Sequence, residues 1–168
     1  MAVRPFDPNT ERGPLFDTLE RLFRSRVGTW AAINVGQRVD PHLMRLTRGH
    51  IRLAVTAPTV LLTHTGAKSG RRRTTPLLYF TDDDVVVVLI ASKGGAASHP
   101  AWYHNVKANP EVEASTDGRP VPYLAREAEG AERKRLWGLA TTLYAGYDDY
   151  QEKARSHRTI PVIVLSPR

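Results

Sequence analysis

Cysteine is absent from the chain, so no disulfide, thiolate metal site or cysteine nucleophile can be built from it. Acidic residues are also short. The 17 Asp and Glu stand against 24 Lys and Arg, and the formal net charge of +7 favours an anionic partner. No run reaches the roughly 18 apolar residues of a membrane span. The opening MAVRPFDPNTERGPLF lacks the apolar centre of a secretory signal, so a cytoplasmic protein is expected. His42, His50, His64, His99, His104 and His157 have no metal-ligand spacing and no carboxylate cluster beside them, and no metal is expected. No Ser-His-Asp arrangement, internal repeat or low-complexity tract is legible. The basic residues come without a nucleic-acid-binding motif, so nucleic acid is not an expected partner.

What is present suits one globular domain: 168 residues, 41% hydrophobic and 24% charged, enough to bury a core. Residues 1–14 are polar and carry Pro5, Pro8 and Pro14, which reads as a loose arm. Then Leu15, Phe16, Leu19, Leu22, Phe23, Val27 and Trp30 follow a helical period, with Asp17, Glu20, Arg21 and Arg24 opposite. An amphipathic helix is predicted there, giving an N-terminal unit over residues 1–40 and a single domain over residues 41–168. A shorter helical or irregular piece is predicted over residues 41–47.

The middle of the chain is β-type. TVLLTHT (59–65), TTPLLYF (74–80) and VVVVLIAS (85–92) are rich in β-branched and aromatic residues and are separated by turn chemistry at GAKSG and TDDD. Two linked hairpins are predicted. HPAWYHNVKANP reads as a short helix with Ser98 as N-cap, stopped by Asn109 and Pro110. EVEAST and RPVPYLARE pair around Asp117 and Gly118, with Pro120 and Pro122 pushing the second strand toward an edge. A last helix is predicted from about Ala131 onward, with Leu136, Leu139, Ala140, Leu143 and Tyr144 on one face, and IPVIVL (160–165) as a closing strand. About six mostly antiparallel strands, with helices at the ends and in one insertion, predict an α+β domain on a small barrel.

Two loops suit an anion. In GAKSGRRR, Gly66 and Gly70 let the backbone approach a ligand beside Lys68, Arg71, Arg72 and Arg73, although a solvated hairpin tip has the same composition. In ASKGGAASHP a strand ends at Ser92 and Lys93, two glycines follow, and a helix starting at Ser98 or His99 would point free N–H groups back, although Gly-Gly after a strand also makes a plain turn. Trp102 and Tyr103 lie on a helix that packs on the barrel. Tyr144, Tyr147 and Tyr150 recur every three residues, a spacing that keeps three phenols on one side of the last helix, whether as core or as a site.

LLTHTGAKSGRRRTTPLLYF, IASKGGAASHPAWYHNVKANPEVE, LYAGYDDYQEKA and RTIPVIVL follow one another over about residues 45–166. In that order they resemble the deazaflavin-dependent nitroreductases of actinobacteria, also called F-420-dependent quinone reductases. The resemblance implies a split β-barrel of flavin-reductase kind with an N-terminal helix and flanking helices. It implies coenzyme F-420, an 8-hydroxy-5-deazaflavin with a phosphate and oligoglutamate tail, as hydride donor to a quinone, activated alkene or nitro compound.

The resemblance also implies site residues. Ala67, Lys68, Ser69 and Arg73 would take the phosphate and tail, leaving Arg71 and Arg72 to meet the variable tail in solvent. Thr74, Thr75, Pro76, Leu77 and Leu78 would line one side of the cofactor. Ile90, Ala91, Ser92 and Lys93, with Ala101, Trp102, Tyr103, His104 and Asn105, would supply the remaining contacts. Tyr144, Tyr147 and Ser92 are the expected catalytic residues, with Tyr147 touching the cofactor as well. One departure stands out: many members carry Tyr after PL where this chain has Leu78, and the adjacent Tyr79 faces the other side of its strand. The implied acceptor pocket is therefore more apolar, and nitroimidazole turnover is not implied. The basic N-terminal helix suits peripheral membrane contact or a cover for the barrel. An FMN-binding split-barrel oxidoreductase and a non-catalytic F-420 carrier remain as alternatives, and the oligomeric state is not indicated.

Overall fold

The computed structural model describes residues 3–8, 58–83 and 85–168. The helices expected over residues 15–30 and 41–47 lie outside the described residues. Six strands follow the sequence signals: β1 (Thr59–Thr65), β2 (Arg72–Asp82), β3 (Val86–Ile90), β4 (Glu111–Ser115), β5 (Val121–Glu127) and β6 (Val162–Pro167). Three helices accompany them among the described residues: α1 (Ala101–Ala108), α2 (Gly130–Leu143) and α3 (Gly146–Ala154). The strands close into a barrel in the order β1-β2-β3-β6-β5-β4, every neighbouring pair antiparallel. This is the expected barrel.

Alternation along each strand builds two apolar bodies. Val60, Leu62, Tyr79, Val87, Leu89, Val112, Ala114, Tyr123, Ala125, Ile163 and Leu165 pack together as the barrel core. The other faces of β2, β3 and β6 contribute Phe80, Val88, Ile90, Val162 and Val164, which pack under Leu136, Ala140 and Leu143 of α2 and Tyr147 and Ala154 of α3. Strands β3 and β6 are thus covered on both faces, which is why they read as unbroken apolar runs. Each fully buried Leu, Val or Phe contributes about 1.5–3 kcal/mol to this.

Strand direction fixes which loops share an end. Strand β1 runs toward the turn at residues 66–71, β2 returns, and β3 runs back to the same end, where it leads into residues 91–100 and α1. Trp102, Tyr103 and Val106 of α1 join the barrel core from that end. At the opposite end sit residues 3–8, which are not a loose arm. Val3 is buried with its N–H on the Tyr123 hydroxyl at 3.2 Å. The Phe6 N–H meets Thr81 Oγ1 at 2.9 Å, and the Tyr79 hydroxyl donates to the Arg4 carbonyl at 2.9 Å. Proline-fixed backbone in residues 3–8 is held here by polar groups that close the barrel.

Three further expectations are corrected. Strand β5 is not an edge, because β4 and β6 flank it; Pro122 is tolerated near its start, where β6 is ending and the Arg168 N–H reaches the Pro122 carbonyl at 3.2 Å. Helix α1 begins at Ala101 with Pro100 as N-cap, not at Ser98, whose hydroxyl is instead taken by Lys93 Nζ at 2.9 Å. The last helix is two helices. Tyr144 leaves the helical region at φ −153° and ψ 104°, and α3 restarts at Gly146, where an added Cβ would lie 2.4 Å from the Tyr144 ring. The phenol needs that space, so the chain breaks before it. No helix among the described residues is long and apolar enough to cross a membrane.

Candidate functional site

The basic turn is a compact loop. The Gly66 N–H bonds to the Arg71 carbonyl at 2.9 Å and the Gly70 N–H to the Gly66 carbonyl at 2.8 Å, with Gly70 left-handed at φ +64°. It is tied to α1 by the Ala67 N–H on Asn105 Oδ1 at 2.9 Å and by Asn109 Nδ2 on the Thr65 carbonyl at 3.4 Å. Lys68, Ser69, Arg71 and Arg73 are exposed, and the three cations have no carboxylate partner among the described residues. Arg72 differs, because strand alternation turns it to the outer face, where it is ion-paired with Glu113 of β4. Arg72, expected to meet a ligand tail, thus has its charge engaged by Glu113 across the sheet.

At the same end, residues 91–99 make a tight corner. Lys93, Gly94 and Gly95 are left-handed in succession at φ 49°, 62° and 74°. Gly95 is wedged against α3, where a Cβ would lie 2.7 Å from the Tyr150 carbonyl oxygen. Lys93 adopts a backbone region that costs a side chain on the order of 1 kcal/mol, and its ammonium folds back on Ser98 Oγ and the His99 carbonyl. One guanidinium holds the corner together. Arg158 donates to the carbonyls of Ala91 (3.2 Å), Ser92 (2.7 Å) and Ala96 (2.9 Å) and contacts His99 Nδ1 at 3.2 Å.

Along β2 the expected contact residues divide by face. Thr74, Pro76 and Leu78 share the outer face with Phe80, which packs with Ile90, Tyr144 and Tyr147. Thr75 and Leu77 point the other way: Thr75 Oγ1 meets His64 Nε2 at 3.1 Å, and Leu77 packs on the barrel core. Those two residues can offer the outer face only backbone. Tyr79 is buried in the core, so the phenol missing at Leu78 is not restored by its neighbour.

The tyrosines form a cluster between α2 and α3. The rings of Tyr144 and Tyr147 meet edge to face at 5.3 Å, and the hydroxyls of Tyr144 and Tyr150 are 3.1 Å apart. Tyr144 and Tyr147 are both buried. Burial, with Tyr150 beside it, raises the Tyr147 pKa above the ordinary phenol value and keeps the group a neutral donor. Ile90, Tyr144 and Tyr147 are thus brought together, and Ser92 follows directly after that strand. Trp102 and Tyr103 belong instead to the barrel core, with the Tyr103 hydroxyl donating to Glu127 at 2.8 Å. Ala91 is buried there too, while Ala101 and His104 are exposed on α1.

Two polar residues of this end escaped the sequence reading. Alternation within TVLLTHT puts His64 on the inner face with Val60 and Leu62, a signal that marks it as a buried polar group in a strand. It is 3% exposed, and burial together with the Arg73 charge lowers its pKa to about 4. Arg158 had no comparable signal. Its role depends on contacts with residues about sixty positions earlier.

Residues 36–167 match the family profile described as F420H(2)-dependent quinone reductase. The F420H(2)-dependent quinone reductase Rv1261c of Mycobacterium tuberculosis is 37% identical over 150 residues, covering 84% of this chain and 99% of the relative. Among solved structures, an F420-H2 dependent reductase, FDR-A, superposes with a TM-score of 0.58 at 44% identity, covering 65% of this chain and 94% of its own. A chain described as a domain-swapped dimer gives 0.61 at 39% identity over 77% and 97%. Match length and identity together decide the family, and the chain belongs to the F420H(2)-dependent quinone reductases.

Proposed function

We propose that this chain is an oxidoreductase that passes hydride from reduced F-420 to a quinone-like acceptor, at the barrel end where residues 66–71 and 91–95 come together. One observation carries the reading: the antiparallel order of β1, β2 and β3 delivers both anion-friendly loops to the same end, and α1 follows one of them and is hydrogen-bonded to the other. The fit to the cofactor rests on charge. Lys68, Arg71 and Arg73 are exposed without carboxylate partners among the described residues, whereas Arg72, already paired with Glu113, is not counted among the ligand-binding cations. A phosphate followed by several carboxylates uses such a set more fully than a single phosphate does.

In this reading Lys68, Ser69 and Arg73 hold the phosphate and tail, with Arg71 toward solvent. Thr74, Pro76, Leu78 and Ile90 flank the ring from the outer face of the sheet, and Ser92 and Lys93 border it at the corner. Reduced F-420 supplies the hydride, and the protein's contribution is placement and exclusion of water. Tyr147, kept neutral by burial, donates its phenolic proton toward an acceptor oxygen as negative charge develops there. Tyr144 shares its hydroxyl with Tyr150 and borders the same space. With Leu78 on that face, the acceptor side is apolar, which suits a quinone ring.

The test is binding followed by turnover. F-420 and FMN are titrated separately by fluorescence, and oxidation of reduced F-420 is then followed with menadione. Tighter FMN binding overturns the cofactor role, and F-420 binding without turnover of any acceptor supports a carrier instead. Residues 41–168 are read as the cofactor-binding domain. Peripheral membrane contact through residues 15–30 is supported by their basic amphipathic pattern. Deleting residues 1–40 would strip Val3 and Phe6 from the barrel, so charge reversal at Arg21 and Arg24 with liposome flotation is the cleaner test. Equal partitioning of variant and parent rejects the contact.

A further inference from the structure

The cationic turn is fastened to α1 by a relay that runs through a buried imidazole. Asn105 Oδ1 accepts the Ala67 N–H at 2.9 Å, and because a backbone N–H can only donate, the amide cannot be turned the other way round. Asn105 Nδ2 is then the atom 3.2 Å from His64 Nδ1, and it must donate. Nδ1 therefore accepts, the His64 proton sits on Nε2, and Nε2 donates to Thr75 Oγ1 at 3.1 Å. One protonation state and one amide orientation satisfy every group. A proton added at Nδ1 would set donor against donor, and an inverted amide would set Nδ2 against the Ala67 N–H.

The ends of this relay flank the cations assigned to the ligand. Ala67 immediately precedes Lys68, and Thr75 lies two residues beyond Arg73. His64 is also the register partner of Arg73 across the β1–β2 hairpin. Apart from the relay, the turn has its two internal backbone bonds, the long bond from Asn109 and a 3.4 Å contact from the Arg71 N–H to Ser69 Oγ. Held by these alone, an exposed loop of this length would sample more positions, and each cation would be placed anew for every binding event.

We propose that His64, held between Thr75 and Asn105, is a positioning residue that fixes residues 66–71 against α1 and so sets where Lys68 and Arg73 meet the phosphate and tail of F-420. This rests on the functional reading above. His64 does not touch the ligand; it acts through Asn105 and the Ala67 N–H.

His64→Leu removes both hydrogen bonds, whereas His64→Asn keeps an acceptor facing Asn105 Nδ2. Thr75→Val, a milder change, deletes only the partner of Nε2. Two readouts are taken on the full chain: F-420 affinity by fluorescence, and hydrogen exchange of the Ala67 amide without cofactor. His64→Leu is expected to speed Ala67 exchange and to weaken F-420 binding about tenfold or more, the scale of a buried polar group left unpaired. The loss should appear in KM for F-420 and not in kcat at saturation. His64→Asn should stay within about threefold of the parent. Asn105→Ala should give a loss like that of His64→Leu, with the double variant no worse than either. Should His64→Leu not fold, Thr75→Val carries the same two readouts, with a smaller loss in the same direction. Unchanged F-420 affinity in a variant whose Ala67 amide exchanges freely overturns the relay, as does full additivity of the two single losses. Parent protein that fails to bind F-420 overturns the functional reading, and this inference with it.

Discussion

Gly95 and Gly118 have similar backbone angles, φ +74° and +84°, but different surroundings. An added Cβ at Gly118 meets nothing within 4 Å, while at Gly95 it would lie 2.7 Å from the Tyr150 carbonyl oxygen. Gly118→Ala should therefore cost only the left-handed strain, about 1–2 kcal/mol. Gly95→Ala should cost more than about 3 kcal/mol, since backbone of α3 must move as well. Urea unfolding of the two variants checks this, and equal midpoints would refute the wedge. His64 gives a prediction of another kind. Its folded pKa of about 4 lies below the ordinary 6.5, so between these values the unfolded chain binds more protons and stability rises with pH. The contribution is complete above about pH 6.5 and is lost as pH falls through 4, on the order of 3 kcal/mol. Arg73 adds to the effect by repelling the imidazolium. Parent protein should lose stability faster than His64→Asn between pH 7 and 4.5; parallel losses would contradict the assignment. At this scale the sequence was informative where alternation decides, as at Leu78 and Tyr79. It was silent where a loop residue finds partners far along the chain, as Arg158 does.

Arg158 joins the corner after β3 to the segment between α3 and β6 through one planar group. Its fork reaches three carbonyls at once, and a Lys ammonium, a single point on a flexible stem, cannot span them. Arg158→Lys should raise hydrogen exchange at Gly95 and Ala96 and, with Ser92 and Lys93 at the proposed cofactor ring, lower quinone reduction. Unchanged exchange there would show that Lys93 and the α3 contact hold the corner alone. The strands and α1 could be located from residue type because each carries its own pattern and its own stop. The last helix could not be read to its end. Spacing of three among Tyr144, Tyr147 and Tyr150 describes a continuous helix, yet Tyr144 sits between two, with its ring in the space that Gly146 leaves. The competing signal was the small pair Ala145 and Gly146, and it was outweighed by a periodicity that persisted across the break.

Across the whole molecule, two properties meet at one end of the barrel. Short turns between β1, β2 and β3 could be inferred from the chain, and an up-down-up path follows from them. A barrel could be expected too, but not which strands close it: β6 pairs with β3 from more than seventy residues away and with β5 across two helices, a non-local choice that no local pattern records. That closure makes one end of the barrel a platform under α1 and the basic turn. The net charge of +7 favours an anionic partner, but individual cations do not contribute equally. Lys68 and Arg73 are exposed without carboxylate partners among the described residues, whereas Arg72 is neutralised by Glu113. Lys68→Ala and Arg73→Ala should each weaken F-420 binding, and the deficits should shrink between about 0.05 and 1 M salt as the Debye length falls from above 10 Å to about 3 Å. Arg72→Ala should change affinity less than about twofold, because its guanidinium is engaged by Glu113 and an exposed pair of this kind contributes under about 1 kcal/mol. Where contacts extend past the phosphate, the Lys68→Ala deficit should grow with each added glutamate, and a deficit independent of tail length confines Lys68 to the phosphate. Affinity titrations across salt and tail length decide between these. Equal damage from Arg72→Ala and Arg73→Ala would mean that the Glu113 pair does not withhold Arg72 from the ligand, and that the anion lies across the hairpin.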